Sequence, residues 1–422
     1  MRQPSLSLAE HFQAAADRHP QAEAVTAGNR RWTWRRWLDE LASGLGTPAP
    51  NATPWRTHGS ALDLARAAFT CSLQNRPFWP VDCVSTTQPA PLPPPGTVLL
   101  ISTAGSEGHP KTVCLSQPQL DHAACQSNRR LDLRAGDCWL HCLPLYHIGG
   151  QAILWRCARA AASLCLHDGF SVAALAADLA HKEITHLSLV PTMLARLIEA
   201  DVRPPAGLRV ALIGGAALSQ TLYDRAVAAG WPLIPSYGMS ESAAMIAAWQ
   251  PSDGPWRAGQ VGQLLPGSQA SLTVDGRLRL HGQQLMLAYL DGSGRDADGG
   301  YTTGDRGEIA ANGQLTVLGR ADDMLISGGI NVHPQQIEGC LAALPGVNDV
   351  AVDGRPDEEW GQRVVALIVG PVDLAQVRAH VARHLPAAAW PREVHRVSNL
   401  PRNAAGKLDR LAVRQWIARL RP

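Results

Sequence analysis

The segment Thr103-Ala-Gly-Ser-Glu-Gly-His-Pro-Lys111 combines small residues, hydroxyl groups and a lysine in a pattern suited to holding phosphate. Glycines let backbone N–H groups approach a phosphate closely, hydroxyls add donors, and the lysine supplies a positive charge. The spacing Gly105-x-x-Gly108-x-Pro-Lys111 differs from that of the P-loop nucleoside triphosphatases, which have four residues between the two glycines. The segment therefore predicts a phosphate-binding loop of another kind, although a flexible Gly-Ser turn explains it about equally well on its own.

Six further segments contain residues that could take part in catalysis or binding. Each has a structural alternative, since His147 could be a core histidine, Asp305 a turn former and Lys407 a solvated amine. Their joint order along the chain favours a common function. The segments are LPLYHIGG (143–150), IGGAA (213–217), SYGMSE (236–241), TGD (303–305), GRADD with ISGGINVHP (319–334) and PRNAAGK (401–407).

Short apolar runs alternate with helical periodicity in the first part of the chain, as in α/β domains with parallel strands. The capping box Ser7-Leu-Ala-Glu10 predicts a first helix, and the Pro- and Thr-rich stretch 48–95 predicts a linker with one helical island. The predicted strands are 97–102, 187–190, 210–213 and 232–236, and the predicted helices include 61–73, 193–200 and 218–229.

After residue 257, turn residues recur every few positions, which predicts β-hairpins in a small β subdomain. Beyond a boundary at 319–323, the pattern predicts helices at 334–344 and 373–384 and strands at 350–352 and 364–369. The predicted class is α/β, with a large N-terminal α/β domain of parallel sheets carrying the β subdomain and a small α+β C-terminal domain. The expected division is 1–319, a hinge at 320–323, and 324–422.

The composition excludes several classes of function. The 422 residues carry a net charge of +2 without a long block of like charges, so we expect no nucleic-acid partner and no anionic membrane surface. No apolar stretch of about 18 residues and no signal-peptide pattern occurs, which favours a cytoplasmic protein. The nine cysteines are odd in number and lack any CxxC pair, so we expect buried thiols and neither disulfides nor zinc ligands.

Taken in order, the motifs resemble those of the adenylate-forming superfamily of acyl- and aryl-CoA ligases, carrier-loading adenylation domains and luciferases, over about residues 97–410. The stretches LPLYHIGGQAILWR, THLSLVPTMLARLI and WTWRRWLDELASGL are most similar to the o-succinylbenzoate-CoA ligases of menaquinone biosynthesis. The resemblance implies that a carboxylate attacks the α-phosphorus of ATP, giving an acyl-adenylate and pyrophosphate, and that the thiol of CoA then displaces AMP. It implies a small carboxylic acid, ATP, Mg²⁺ and CoA as ligands; an acyl-carrier protein and a homo-oligomer are further expectations.

The resemblance also implies roles for individual residues. Lys407 would be the catalytic lysine, His147 would close over the acid, Glu241 would bind Mg²⁺, and Asp322 would be the hinge about which a mobile C-terminal domain rotates. The implied ATP- and CoA-binding residues are Thr103, Gly105, Ser106, Gly108, Lys111, Gly214, Gly215, Ala216, Ser236, Tyr237, Gly238, Ser240, Asp305, Arg320, Gly328 and Gly329, and the implied wall of the acid pocket is Ser188, Thr192, Ser242 and Ala243.

Two other functions stay open on the sequence. One is an aryl or fatty acyl ligase of secondary metabolism that loads CoA or a carrier protein. The other is a non-catalytic nucleotide- or acyl-AMP-binding protein, which Glu107 in the phosphate loop and the short N-terminal part would suit. The presence of Lys407, Glu241 and Asp305 together argues against a non-catalytic protein. The second carboxylate of o-succinylbenzoate requires donors or a cation, and no cation for it can be identified from the sequence.

Overall fold

The computed structural model describes residues 5–43, 53–83, 91–103, 111–402 and 408–420. Helices and strands alternate through these ranges. The helices are α1 (Leu8–Arg18), α2 (Trp34–Ser43), α3 (Ala61–Leu73), α4 (Gln117–Leu131), α5 (Ile148–Ala160), α6 (Val172–His181), α7 (Pro191–Glu199), α8 (Gln220–Ala228), α9 (Pro334–Leu341), α10 (Leu374–Val381) and α11 (Arg410–Arg419).

The strands form three sheets. They are β1 (Glu23–Ala27), β2 (Arg30–Thr33), β3 (Trp55–Thr57), β4 (Phe78–Pro80), β5 (Thr97–Thr103), β6 (Lys111–Ser116), β7 (Cys138–His141), β8 (Ser163–Leu166), β9 (His186–Leu189), β10 (Val210–Ile213), β11 (Leu233–Met239), β12 (Ala244–Ala248), β13 (Gln260–Leu264), β14 (Ser268–Leu272), β15 (Arg277–Gly282), β16 (Ala288–Tyr289), β17 (Tyr301–Ile309), β18 (Gln314–Arg320), β19 (Leu325–Ser327), β20 (Ile330–Val332), β21 (Asp349–Asp357), β22 (Gly361–Val369) and β23 (Glu393–Arg396).

The capping box at the start of α1 is confirmed. The hydroxyl of Ser7 accepts from the N–H of Glu10 (3.1 Å), and the Glu10 carboxylate accepts from the N–H of Ser7 (2.6 Å). Two of the free N–H groups at the helix start are thus satisfied locally. Phe12 on the buried face packs its ring 4.5 Å from Trp34 and 4.2 Å from Phe69, so α1 joins α2 and α3 in one apolar cluster.

The main sheet has thirteen strands in the order β14-β15-β17-β18-β13-β12-β11-β10-β9-β7-β8-β1-β2. Its central strands β8, β7, β9, β10 and β11 are parallel, and β10 is buried along its whole length. Helices α6, α7 and α8 cover one face and α4 and α5 the other. The predicted α/β class is therefore confirmed, because continuous apolar strands require cover on both faces.

From β12 onward the main sheet is antiparallel. The predicted hairpins are present as the β14–β15 and β17–β18 pairs. They continue the main sheet through β13, β12 and β11, whereas the turn pattern only predicts that hairpins occur. Three strands separate β17 from β11 in this order, yet the hydroxyl of Tyr237 on β11 reaches the carboxylate of Asp305 on β17.

In the stretch 48–95, the predicted helical island is confirmed as α3, whereas the interpretation of the described residues around it as a linker is wrong. Within it, β3 and β4 join a five-stranded sheet of order β16-β6-β5-β4-β3. Each has only three residues, too few to produce a periodic signal, although β4 is fully buried. The predicted strand at 97–102 is β5, but it lies in this second sheet and pairs antiparallel with β6.

The third sheet has the order β20-β19-β22-β21, with β23 pairing parallel to β22. Helices α9 and α10 cover one face and α11 the other. The predicted α+β character of this part is confirmed, while β19, β20, β23 and α11 were not predicted.

All nine cysteines lie in the described ranges and are free thiols. Five are buried and Cys83 is exposed. The prediction that the thiols form no disulfides is therefore confirmed. Among the described residues, no helix has the length and apolar character needed to span a membrane.

Candidate active site

The strand order places the ends of β7 and β9 where the order of the main sheet reverses, since β8 lies on one side of β7 and β9 on the other. In open α/β sheets such a switch point leaves a crevice at the carboxyl ends of the strands, where ligands bind. The segments after β7, β9, β10 and β11 carry His147, Thr192, Gly214 and Ser240. Four predicted site segments therefore meet at one edge of the sheet.

The turn after β10 has an open backbone edge. The hydroxyl of Ser236 on β11 donates to the carbonyl of Ile213 (3.0 Å), and a Cβ on Gly214 would lie 3.0 Å from that hydroxyl oxygen. Gly215 has φ +80°, in the left-handed region that favours glycine, and both it and Ala216 are exposed. Backbone groups here can reach the edge of a planar ligand.

A buried hydrogen bond joins the end of β11 to β17. The hydroxyl of Tyr237 donates to Oδ2 of Asp305 (2.7 Å), and Oγ1 of Thr303 accepts from the N–H of Asp305 (3.0 Å). Burial raises the pKa of Asp305, although the Tyr237 hydroxyl and Arg320 act in the opposite direction. Gly238 follows Tyr237 where a Cβ would collide with the carbonyl of Ala244. The structure thus brings together Tyr237 and Asp305, two predicted ligands of one nucleotide.

Arg320 lies between Asp305 and the predicted hinge residue. One guanidinium nitrogen is 3.7 Å from Oδ1 of Asp305, and the other donates to Oδ2 of Asp322 (2.7 Å). Burial alone would lower the pKa of Arg320, but the two carboxylates raise it overall. One cation therefore contacts both the β17 carboxylate and the segment after β18.

Glu241 is held by a pair of tyrosines. The hydroxyl of Tyr289 donates to Oε1 of Glu241 (2.7 Å) and lies 3.0 Å from the hydroxyl of Tyr301. Nζ of Lys111 lies 5.1 Å from the centre of the Tyr289 ring, within the range of a cation–π contact. Burial and the Glu241 charge raise the pKa of Tyr289, so this hydroxyl stays a neutral donor. Tyr289 connects two predicted site residues, and the motifs did not single it out.

Ser242 and Ala243 form a buried turn after β11. The hydroxyl of Ser242 donates to the carbonyl of Ala244 (2.8 Å) and accepts from the N–H of Met239 (3.1 Å). The predicted pocket-wall residue Ser242 is fully buried, and its hydroxyl stabilises this turn. Ala243 has φ +51° and lines a closed gap between α4 and α5 that has no room for a water molecule.

Arg156 of α5 lines the same closed gap as Ala243. Its side chain is buried, with a relative exposure of 3% for the residue, and its Nε has no hydrogen-bond partner. The guanidinium lies 5.5 Å from the Trp139 ring, and within the described ranges it forms no ion pair. Burial lowers the pKa of Arg156 to about 10, so it is still a cation at neutral pH. Arg156 lies outside the motifs that predict the site, and the signal that could have found it is an arginine inside the apolar run of α5.

The other predicted residues of the acid pocket lie along the same edge. His147 is half-buried at the start of α5, with its ring 4.7 Å from that of Tyr146. Thr192 lies half-buried in the first turn of α7. Ser188 is buried on β9, and in the described part of the chain its hydroxyl has no hydrogen-bond partner.

Several predicted residues lie outside the described ranges: Gly105, Ser106, Gly108 and Lys407. The chain on either side of them is described. Thr103 pairs with Lys111 across β5 and β6, and its hydroxyl donates to the Lys111 carbonyl (3.1 Å). Arg402 and Leu408, which flank residues 403–407, form an antiparallel bridge.

The segment after the predicted hinge is tied to the third sheet. Asp323 lies 3.9 Å from Nε of Arg410, whose guanidinium donates twice to the carboxylate of Glu338 (2.6 Å each). Gly328 and Gly329 form the turn between β19 and β20, with φ +56° and +76°, and both are exposed. The ring of Trp360 would lie 3.1 Å from a Cβ on Gly328. These two glycines are therefore open to solvent, and they lie far from Lys407 in the sequence.

Two family sequence models match the chain. The one described as AMP-binding enzyme matches residues 50–290, and the one described as AMP-binding enzyme C-terminal domain matches residues 336–407. A 2-succinylbenzoate–CoA ligase of Bacillus pumilus is 31% identical over 329 residues, covering 74% of this chain and 68% of that protein. The ligase of the same name from Lactococcus lactis is 30% identical over 354 residues, covering 82% and 77%.

The fold also matches solved structures. The o-succinylbenzoate CoA synthetase of Bacillus subtilis, in complex with its acyl-adenylate intermediate, superposes with a TM-score of 0.84 at 23% identity, covering 97% of this chain and 98% of that one. The same enzyme in complex with ATP and a magnesium ion gives a TM-score of 0.85 at 23% identity, covering 98% and 99%. At this identity the likeness shows a shared fold.

Proposed function

This chain belongs to the AMP-binding enzyme family, in line with its motifs, and we propose that it is an acid–thiol ligase. It forms an acyl-adenylate from ATP and a carboxylic acid and then transfers the acyl group to CoA. The proposed acid is o-succinylbenzoate, giving o-succinylbenzoyl-CoA for menaquinone biosynthesis. Two relatives of 31% and 30% identity are named as 2-succinylbenzoate–CoA ligases, which supports this choice of acid.

The single observation that carries the choice of acid is Arg156. The substrate has two carboxylates, and the one that does not react must be buried without losing its charge, which requires a cation or several donors. A buried guanidinium without an ion-pair partner in the described ranges supplies that cation. The gap beside Arg156 is closed in this structure, so on this proposal its lining side chains move apart to admit the second carboxylate. A monocarboxylic acid would leave Arg156 uncompensated, which favours a dicarboxylate.

Nucleotide binding is assigned to the carboxyl edge of the main sheet. Tyr237 would pack against the adenine, and Asp305 would accept from the ribose hydroxyls beside Arg320. The charge and hydrogen bonds already present hold these side chains in place, so little ordering accompanies binding. The other proposed contacts are Gly214, Gly215, Ala216, Ser236 and Gly238 around the base, Ser240 at the α-phosphate, and Thr103, Gly105, Ser106, Gly108 and Lys111 at the outer phosphates.

Glu241 is the proposed ligand of Mg²⁺. The carboxylate is half-buried and accepts a hydrogen bond from the neutral hydroxyl of Tyr289, so its negative charge remains available to a hard cation. When bound, Mg²⁺ would reduce the charge on the leaving pyrophosphate. Lys111, which contacts the ring of the same tyrosine, would add a second positive charge on that side.

The two half-reactions are proposed to use different faces of the C-terminal part. Lys407 would bridge the attacking carboxylate and the α-phosphate, cancelling their repulsion, while His147 covers the acid. Rotation of residues 324–422 about a hinge at 320–323, centred on Asp322, would then replace Lys407 by the turn of Gly328 and Gly329. Residues without bulk there leave room for the pantetheine arm of CoA.

Lys407→Ala separates the half-reactions. We expect adenylation to fall by roughly 10²–10³-fold or more, as for loss of one donor to a developing charge, while thioester formation from supplied acyl-adenylate continues. Asp322→Pro should instead impair the change between the two states. Equal loss of both half-reactions in Lys407→Ala would contradict this division.

A pyrophosphate-release assay tests the function. ATP and Mg²⁺ are supplied with o-succinylbenzoate, benzoates or fatty acids, each with and without CoA, and products are identified by mass spectrometry. We expect CoA-dependent turnover with o-succinylbenzoate alone. Adenylate formed from another acid without transfer to CoA would favour a ligase that loads an acyl-carrier protein, and no turnover with any acid would favour a nucleotide-binding protein. The proposed location of the enzyme is the cytoplasm, where ATP and CoA are available.

A further inference from the structure

Three metal-ligating side chains meet away from the candidate active site, where β8 ends beside α6. Cys165 lies on β8, His167 follows it, and Asp178 lies on α6. Sγ of Cys165 is 3.1 Å from Oδ2 of Asp178 and 3.9 Å from Nε2 of His167, and Nε2 is 2.8 Å from the same carboxylate oxygen. None of the three has a part in the function proposed above.

The spacing of these atoms suits one metal ion. The circle through Sγ, Nε2 and Oδ2 has a radius of about 2.0 Å, so a point slightly above its plane lies about 2.0–2.3 Å from all three, the bond lengths of zinc to these ligands. Tetrahedral zinc would set the three atoms roughly 3.3–3.6 Å apart. The adjustment needed is a few tenths of an ångström for each side chain.

A cation already lies against two of these ligands. Nζ of Lys182 is 2.8 Å from Oδ2 of Asp178 and 3.2 Å from Sγ of Cys165. Lys182 is four residues after Asp178, so its ammonium reaches the cluster along the end of α6. Its side chain is 24% exposed, which leaves space for the stem to turn toward solvent.

The ligand types select the ion. A thiolate, an imidazole and a carboxylate form a borderline set that suits zinc better than Mg²⁺ or Ca²⁺, which prefer oxygen ligands. Cys165 is buried and its thiol donates to Asp178, so binding an ion there releases the thiol proton. Asp178 and His167 are partly exposed, with side-chain exposures of 21% and 12%, which gives the ion access.

We propose that Cys165, His167 and Asp178 bind Zn²⁺, and that the ammonium of Lys182 holds the place of the ion until zinc displaces it. The site contains one cysteine, so it has no CxxC spacing, which is why the cysteine pattern alone predicted against zinc. Bound zinc would connect β8 to α6 and stabilise that side of the main sheet.

The test is cobalt and zinc titration of the full chain after removal of metal with a chelator. We expect one Co²⁺ per chain with a thiolate-to-cobalt charge-transfer band, and displacement of Co²⁺ by Zn²⁺. Cys165→Ser should lose the band, and His167→Gln should weaken binding more than tenfold. His181→Gln is the matched control, because His181 is exposed on the same helix and should bind as the wild type does.

Lys182→Met tests the zinc site without changing any of its three ligands, so it is informative even if a ligand variant does not fold. Removing the competing ammonium should tighten zinc binding about tenfold or more, and zinc should raise the Tm of this variant more than that of the wild type. A charge-transfer band that survives Cys165→Ser would overturn the proposal. So would the lack of a band in both the wild type and Lys182→Met.

Discussion

Two arginines near the candidate active site lie in opposite electrostatic settings. Arg320, on the nucleotide side, has carboxylates at 2.7 and 3.7 Å, and they raise its pKa. Arg156, on the acid side, is more deeply buried, forms no ion pair within the described ranges, and burial lowers its pKa. The protein itself therefore compensates the charge of Arg320, whereas the described residues provide no carboxylate for Arg156.

This difference separates common chemistry from specificity. On the proposed function, the nucleotide side would bind a ligand that is the same for every acid, and its polar groups are already hydrogen-bonded to one another. An uncompensated buried charge costs stability, and a ligand that neutralises it is selected over one that does not. We infer that the choice of acid depends on the less stable of the two regions.

Arg156→Met should give the largest change in the free energy of unfolding. Replacing a buried, unpaired cation by an apolar side chain of similar length should raise the free energy of unfolding by about 2 kcal/mol, while activity with o-succinylbenzoate falls. Denaturant unfolding of the ligand-free protein measures the first effect. A less stable Arg156→Met protein would mean that an internal partner compensates the guanidinium.

Arg320→Met should have the opposite sign. It leaves Asp305 buried beside Tyr237 without its cation, so we expect the free energy of unfolding to fall by about 1 kcal/mol, a small value because a third of the Arg320 side chain is exposed. The same unfolding experiment measures it. If both methionine variants shift stability in the same direction, the two regions do not differ in the way described.

Tyr289→Phe tests whether Tyr289 orients Glu241 for Mg-ATP binding, and its expected effect is the smallest of the three. It removes the hydrogen bond to Glu241 and keeps the ring that contacts Lys111, so we expect KM for Mg-ATP to rise about threefold to fivefold with little change in kcat. Steady-state kinetics at varied Mg-ATP measures this. Tyr223→Phe is the matched control, since Tyr223 packs on Trp256 away from Glu241, and an equal rise there would refute a specific role for Tyr289.

The meeting of the proposed nucleotide-binding residues could be predicted, because they lie in short contiguous motifs at strand ends. Tyr237 and Glu241 occur in one segment that spans the end of β11, and Asp305 occurs in a turn-rich motif. The parallel strands β9, β10 and β11 were also predicted, because continuous apolar runs are typical of strands covered on both faces. Local sequence carries enough information for these features.

The rest depends on contacts between distant segments. Tyr289 reaches Glu241 across 48 positions, and Arg156 acquires its role only because α4, α5 and the turn at Ala243 enclose it. Strands β3 and β4 are too short for a period and are stabilised by their neighbours in the second sheet. Such features follow from tertiary packing and leave little trace in any one window of sequence.

The proposal that Arg156 binds the second carboxylate of the acid is tested most directly by comparing two enzymes with two kinds of acid. Wild type and Arg156→Met are assayed with o-succinylbenzoate and with its two monocarboxylate analogues, one lacking the ring carboxylate and one lacking the chain carboxylate. The reactive analogue is the one that keeps the carboxylate activated by ATP. In the wild type we expect its kcat/KM to be roughly 100-fold below that of o-succinylbenzoate, because a close buried charge pair is lost. In Arg156→Met we expect the kcat/KM values of the analogue and of o-succinylbenzoate to become similar. An unchanged preference for the dicarboxylate in Arg156→Met would contradict the assignment of Arg156 to the second carboxylate.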